Sequence, residues 1–528
     1  MKNKFAPILV VVLLSLPLLT YGQAKTRKLP TSINHPSVNA FAPLVSADGN
    51  TLIFVSDNAE DNVLTPFFTT RENNDWIEPI MLPKSLHTRL NFLYGIGLSA
   101  DGKKIFLSTI KTPSVGGFDI WTSELRGKVW TEPQNMGMPI NSKMHEASAS
   151  VTTDGNTLYF MRCQTMDQTK ADNCKIFSVK KKSNGQWDEP IELPSNINTG
   201  NSQTPRIMAD GETLIFSSNK ITGSKGGMDL YVTRLRNGNW ADPVPLDFVN
   251  TEKNDQYVSA SALGRYLLKD TQGPRKNEIM EYLIPNELRP RGMMKLDGKV
   301  NSADGGVVSA YVAITDLSSN KKIFNGRPNT DGTFLLYLME GSKYELSIDP
   351  ELSGFSFYSR MFDLTTDKIP QSDKVDVTLK SVVKGDELSL DLVAFKAFSS
   401  ELEKSSGSEL QRLARIIKND PLLKFEIQVM LNGYLEDSVK SSEDLTEIRY
   451  DSITVQVDEI DSLGQLFKKD TLLVKTTFHN DRTQKQATAV TDFLIGLGVN
   501  PASLSTFVNA IPATLPENRR IRVRARVR

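Results

Sequence analysis

The stretch Asp210-Gly211-Glu212-Thr213-Leu214-Ile215-Phe216 has three close copies in the chain. Asp48-Gly49 leads into Thr51-Leu52-Ile53-Phe54, Asp101-Gly102 into Lys104-Ile105-Phe106-Leu107, and Asp154-Gly155 into Thr157-Leu158-Tyr159-Phe160. The four glycines are 53, 53 and 56 residues apart, and another 53 residues reach Gly264 in a worn fifth copy, Ala262-Leu263-Gly264-Arg265-Tyr266-Leu267-Leu268. Asp-Gly ahead of an apolar run marks a tight turn into a strand. Other phrases recur with the same period. Gly116-Gly117-Phe118-Asp119-Ile120-Trp121 matches Gly226-Gly227-Met228-Asp229-Leu230-Tyr231, and a Trp precedes a Pro by three residues at Trp76, Trp130, Trp187 and Trp240. Pro83, Pro139 and Pro194 close their copies, and Pro30 stands before the first. A unit of this length with several short strands cannot bury both sheet faces alone. Radial stacking of such units gives a β-propeller. Five blades is the count, with six the alternative. Each Trp is expected between neighbouring sheets, and the repeated Asp, Gly, Trp and Pro are read as blade architecture rather than as a site.

The chain is too long for one core: 528 residues predict two to four domains. Lys+Arg and Asp+Glu both number 62, so no global field draws it to nucleic acid or an anionic membrane. At the start, Lys2 and Lys4 precede an apolar run from Phe5 to Leu19, and Gly22-Gln23-Ala24 offers a small-residue cleavage site. This is the pattern of a signal peptide over residues 1–24, the rival being a retained anchor. Its removal takes two lysines and no acids, leaving a net charge of −2. No Cys follows the run, so a lipoprotein is not expected. The only cysteines, Cys163 and Cys174, flank a polar loop between strand-like runs. In an oxidising compartment that spacing predicts a disulfide; two buried free thiols are the alternative. His35, His87 and His145 fall out of register with the repeat, which argues against a metal ring, and no metal or cofactor is expected.

The repeat motifs resemble the TolB-like propeller repeat, whose pattern includes Ser-x-Asp-Gly and a later Gly-Gly-x-Asp-Ile-Tyr. The resemblance spans about residues 25–285. Residues 286–294 read as a linker. Beyond them, Leu296-Asp297-Gly298-Lys299-Val300, Asn329-Thr330-Asp331-Gly332-Thr333-Phe334 and Tyr344-Glu345-Leu346 are alternating short strands with turns between them. They resemble the carboxypeptidase regulatory-like domain, a small β-sandwich over 293–383, which implies a spacer without a reaction of its own.

From 385 the pattern turns mixed. Leu410, Leu413, Ile416 and Ile417 recur at helical spacing in Ser408–Lys418, Phe425–Val429 reads as a strand, and Gln484–Leu497 as a second helix with Asp481 as its cap. In the terminal Ile521-Arg522-Val523-Arg524-Ala525-Arg526-Val527-Arg528, apolar and cationic residues alternate, as in a half-buried strand rather than a nucleic-acid arm. Gln486-Ala487-Thr488-Ala489-Val490, Phe493-Leu494 and Glu517-Asn518-Arg519-Arg520 make 385–528 similar to the OmpA-like domain. That family grips the diaminopimelate of peptidoglycan with an Asp and an Arg. Here Asn432 stands at the Asp position and Gln486 at the Arg position. Neutral amides supply no charge, and losing two charged hydrogen bonds costs about 3 kcal/mol, over a hundredfold in affinity. Asp481 and Arg482 are candidate substitutes. An insertion over about 436–475 reads as an extra hairpin.

No Gly-x-Ser-x-Gly elbow, His-Glu-x-x-His run or phosphate loop occurs, and four histidines leave few general bases. The expectation is a non-enzymatic periplasmic, outer-membrane-associated adaptor or scaffold. Its propeller would hold an envelope protein and its OmpA-like domain would lie near the cell wall. The alternative is a peptidoglycan- or glycan-binding wall anchor. The domain order resembles accessory proteins of type IX secretion and gliding machinery in Bacteroidetes.

Overall fold

In the computed structural model the Asp-Gly phrases are built turns. Gly49, Gly102, Gly155 and Gly211 sit at φ of 72°, 71°, 70° and 68°, and Gly264 at 61°, a region that favours glycine. The preceding carboxylate locks the turn: Asp48 Oδ1 accepts from the Ser46 hydroxyl (2.6 Å) and from the backbone N–H of Asn50 (3.0 Å). Asp101 and Asp154 do the same in their copies. The structure describes residues 25–528 other than 58–63, 74, 88–95, 168, 304, 306–308, 367, 398, 435–446, 480–481 and 513–519. Residues 1–24, read above as a signal peptide, lie outside it. The described chain divides into two compact units, the first ending at Arg291 and the second starting at Gly292, inside the expected linker.

Unit 1 holds five antiparallel sheets in chain order. Their innermost strands are β2 (Ala40–Val45), β3 (Gly97–Leu98), β4 (His145–Val151), β7 (Ser202–Ile207) and β8 (Val258–Ser259). The third sheet adds β5 (Thr157–Met166) and β6 (Ala171–Lys180). The fifth is completed from the far end of the chain: β1 (Thr26–Lys28) pairs with β9 (Asn277–Leu283), Arg27 opposite Glu281. The core falls into clusters between successive sheets. Ile53 and Leu107 join the first to the second, Phe106 and Phe160 the second to the third, Ile176 and Phe216 the third to the fourth, and Ile215 and Leu267 the fourth to the fifth. Leu268 and Ile279 of the fifth then pack with Leu52 and Phe54 of the first. The cycle closes, and the β-propeller is a ring of sheets with cores between them.

The tryptophans sit where the period put them. Trp130 meets Phe68 of the preceding sheet edge-on at 5.9 Å, and Trp240 meets Tyr159 at 6.0 Å. Trp76 joins the cluster shared with the fifth sheet, and Trp187 the one shared with the second. Gly116 and Gly226 let the next connection pass: a Cβ there would lie 2.0 Å from Ser142 O and 2.2 Å from Lys253 O. A further periodic feature has no obvious signature. Ala42, Ser148, Thr204 and Tyr257, each seven residues before its Asp-Gly glycine, have φ of 45°, 53°, 48° and 49°. The first three lie at register shifts in β2, β4 and β7. The irregular register there bends β2, β4 and β7. The second copy carries Gly95 at the same spacing.

Unit 2 contains two further sheets and a mixed α/β layer. One sheet orders β13 (Thr333–Met339), β10 (Met293–Ser302) and β16 (Ser372–Leu379). The other orders β12 (Lys321–Gly326), β11 (Ala310–Asp316), β14 (Lys343–Pro350) and β15 (Tyr358–Asp363). After β17 (Glu387–Ser389) come α1 (Ser406–Asn419), β18 (Phe425–Tyr434), β19 (Glu447–Ile460), β20 (Leu466–His479), α2 (Arg482–Gly496), β21 (Leu504–Pro512) and β22 (Arg520–Val527). The sheet order is β17-β22-β18-β21, with β18 and β21 parallel. Leu410, Leu413, Ile416 and Ile417 of α1 are buried on this sheet, as their spacing predicted. Val523, Ala525 and Val527 are buried in β22, while Arg522 and Arg526 face solvent.

Residues 293–383 and 385–528 lie in the same compact unit, where α1 is bonded to β14 and β15. Ser408 Oγ donates to Glu345 at 3.0 Å, and Arg412 lies 2.7 Å from Glu345 and 3.2 Å from Asp349. Glu409, wholly buried, accepts from the Ser359 hydroxyl and from Leu392 N–H (2.7 Å). Burial pushes its carboxyl up to about 7, helped by Asp391 and opposed by those donors and by Arg412. The unfolded chain releases this proton near 4.5, so between these values the folded state holds the extra proton and stability falls as pH rises. The unfolding free energy from urea titration should drop between about pH 5 and about pH 8 by an amount on the order of a few kcal/mol. Glu409→Gln should remove that part of the slope.

Candidate functional site

Two places collect the residues singled out from the sequence. The first is the start of α2. Arg482 and Gln486, one turn apart, share a helix face, and that face is turned inward: their exposures are 6% and 1%. Gln486 Nε2 donates to Ser399 O at 3.0 Å, and its Oε1 is buried without a hydrogen-bond partner. The amide expected to line a ligand pocket is therefore tied to the chain's own backbone. Asn432 lies in β18, its backbone opposite Ile511 of β21 and Arg520 of β22. Asp481 falls outside the described residues, so of the two candidate substitutes only Arg482 is placed, at the buried N-terminus of α2.

Between β18 and α2 runs the inserted hairpin, β19 and β20, reaching His479 rather than ending near 475. Its two strands pair only with each other among the described residues. Ile453, Leu472, Leu473 and Val474 on its faces are exposed, and so are Ile460, Leu463 and Leu466 at its tip, the last three by 69%, 84% and 73%. A lone two-stranded ribbon is marginal in water, and its open edges invite pairing.

The second place is the third sheet of unit 1. Cys163 and Cys174 stand directly opposite each other in β5 and β6 and are joined by a disulfide. These strands are ten residues each, where Thr51–Ser56 and Thr213–Ser218, the counterparts of β5, have six and Thr65–Glu72 and Asp229–Arg236, the counterparts of β6, have eight. The hairpin thus extends beyond its neighbours, and the disulfide staples the extension. Its far end leans on the fourth sheet: Gln203 Nε2 and Asn201 Nδ2 both donate to Ala171 O, at 2.7 and 2.9 Å. Gln256 Nε2 in turn donates to Gln203 Oε1 at 2.9 Å. Nearby polar groups serve the architecture. Asp119 and Asp229 of the Gly-Gly-x-Asp motifs accept the N–H groups of Val115 and Lys225 at 2.7 and 2.8 Å. His145 Nδ1 accepts from Phe118 N–H at 3.2 Å, and burial lowers its pKa. The bulges and the buried Lys269–Asp255 pair (2.8 Å) were invisible in the sequence, although the bulge positions share one spacing to the glycine.

No family model and no curated protein sequence matches the chain. Among solved structures it is similar to TolB from Acinetobacter baumannii, with 14% identity, 46% of this chain covered and a TM-score of 0.30. The match spans 54% of that protein's chain, about half its length. A putative TolB from Agrobacterium tumefaciens aligns at 15% identity over 57% of this chain and 90% of its own, with a TM-score of 0.28. A glycoside hydrolase aligns at 12% identity over 48% of this chain and 88% of its own, with a TM-score of 0.32.

Cross-linking the third hairpin limits the unfolded chain. Reduction, or Cys163→Ser with Cys174→Ser, should lower the stability of unit 1 by about 3 kcal/mol, read as a lower denaturant midpoint.

Proposed function

We propose that the chain is a non-enzymatic adaptor or scaffold of a bacterial envelope. It is exported by residues 1–24 to the periplasm and lies beside the outer membrane. In this reading unit 1 is a five-bladed TolB-like propeller that holds a protein partner. Residues 293–383 are a carboxypeptidase regulatory-like sandwich, and 385–528 a variant OmpA-like domain. The partner is an envelope protein, of the kind that serves a secretion or gliding machine. Among the described residues no helix is long and apolar enough to cross a membrane.

The observation that carries the reading is the pairing of an inward-turned pocket residue with an outward-turned hairpin. Gln486 spends its donor on Ser399 O, so the position where the resemblance expects a cation offers none to a zwitterionic wall ligand. A few residues before it in the chain, β19 and β20 expose Ile453, Leu472, Leu473 and Val474 to solvent. Large exposed apolar clusters mark protein contacts. Holding a partner needs this surface and no reacting group. With the hairpin β19–β20 set aside, the β-α-β-α-β-β order and the β17-β22-β18-β21 sheet support the OmpA-like reading of the layer that carries it.

Two measurements test it. The chain should stay in the supernatant when purified peptidoglycan is sedimented; saturable binding at micromolar concentration would favour the wall-anchor alternative. Replacing 447–479 by a short Gly-Ser turn should remove the hairpin-held proteins from those that co-purify with the tagged chain, leave those held by the propeller, and leave its thermal unfolding above the hairpin's own contribution unchanged. Retention of the same partners by that variant would refute the hairpin as the contact.

A further inference from the structure

Unit 2 carries a groove of about 770 Å³ between α1 and the four-stranded sheet. Its floor is one face of β11, where Tyr311, Ala313 and Thr315 alternate along the strand and so point the same way. β12, the outer strand of that sheet, adds Asn325 opposite Ala313 and Lys322 opposite Thr315. The facing wall is one side of α1, with Ser408, Gln411, Arg415 and Lys418 at helical spacing. Lys404 stands just before the helix on the same groove. Bonds from Ser408, Arg412 and Arg415 to Glu345 and Asp349 seat α1 over β14, the strand beside β11, and Tyr311 is left 43% exposed.

The charge of this groove is one-sided. Its carboxylates Glu345 and Asp349 are spent on the helix: Glu345 lies 2.7 Å from Arg412, and Asp349 lies 3.2 Å from Arg412 and 2.9 Å from Arg415. Lys322, Lys404 and Lys418 come in addition, and all three are exposed. Lys418 Nζ donates to Leu497 O at 3.1 Å, a neutral partner that leaves its charge in place. Among the described residues the lining thus holds five cations against two carboxylates, an excess of three, on a chain whose bases and acids number 62 each. A concave surface of one sign concentrates the opposite sign. Towards the C-terminal end of α1 a smaller hollow of about 150 Å³ shares Asp349, Arg412 and Arg415 with the groove. Leu352, Phe355, Phe357 and Ile416 line it, and Leu352 is 63% exposed. Cations beside an apolar hollow suit a peptide, with acidic side chains over the lysines and one apolar side chain in the hollow. A polyanionic glycan has no side chain for the hollow. From Ser408 to Lys418 the helix rises about 15 Å, room for four or five extended residues.

We propose that this groove binds a short acidic segment of a partner protein, with an apolar residue at one end seated among Leu352, Phe355 and Phe357. The site is formed without the β19–β20 hairpin and does not depend on it. The probe is a fluorescein-labelled hexapeptide of alternating Asp and Glu ending in an amidated Phe, titrated with the unchanged full chain and followed by polarisation. Saturable binding is expected, and none below about 1 mM overturns the proposal. Exchanging the acids of the peptide for Asn and Gln should abolish binding, and exchanging its Phe for Ser should weaken it about tenfold. Lys322→Glu with Lys404→Glu, both at the surface, should weaken it about tenfold or more. Full binding by that variant, of the neutral peptide or of the peptide without Phe overturns the assignment. So does equal competition by polygalacturonate at the same carboxylate concentration, which would make the groove a glycan site.

Discussion

The first unit depends on one constraint: its middle strands are apolar on both sides. Every residue of Thr51–Ser56 and of Thr213–Ser218 is buried. A sheet made of such strands needs a neighbour on each face, and a row of sheets always leaves two faces in water. Only a cycle leaves none. The cycle here is closed covalently as well as by packing, because Thr26–Lys28 from the start of the chain supplies a strand to the sheet that ends at Leu283. Opening it would expose the cluster of Leu52, Phe54, Leu268 and Ile279 and break that pairing together, which makes closure a cooperative property of the whole ring.

Closure has a local consequence at the axis. Five innermost strands converge, and each must bend. The left-handed residues Ala42, Ser148, Thr204 and Tyr257 place that bend at one height. A non-glycine residue there costs on the order of 1 kcal/mol or more, so the surrounding packing has to hold it. The same convergence brings Arg206 to carbonyls on the second and third sheets.

The second unit is organised differently. Its four-stranded sheet and its α/β layer meet through charge: Arg412 between Glu345 and Asp349, Ser408 on Glu345, and the buried Glu409 against Ser359. Buried ion pairs add little net stability but tolerate few alternative arrangements. This seam holds α1 on β14 and β15, within the compact unit that runs from Gly292 onward.

Much of this was legible in one dimension. The Asp-Gly period, the Trp spacing and the Gly-Gly-x-Asp phrases located the sheets, since each is a local rule about a turn or a side chain that the chain repeats. Helical spacing located α1 and α2, and strict alternation located β22 with its arginines outward. The candidate pocket was less legible. Substitution of an amide for a charge could be read at Gln486, but its burial against Ser399 O could not, because Ser399 is 87 residues away in sequence. The same holds for the buried Arg206, whose partners come from Ala149 and Ile96. The sequence alone determined which elements form and how often they recur, because turns and periodicities are short-range. Tertiary structure alone decided which polar groups are buried, paired or left facing a cavity, because burial and pairing depend on what distant segments bring to the same place.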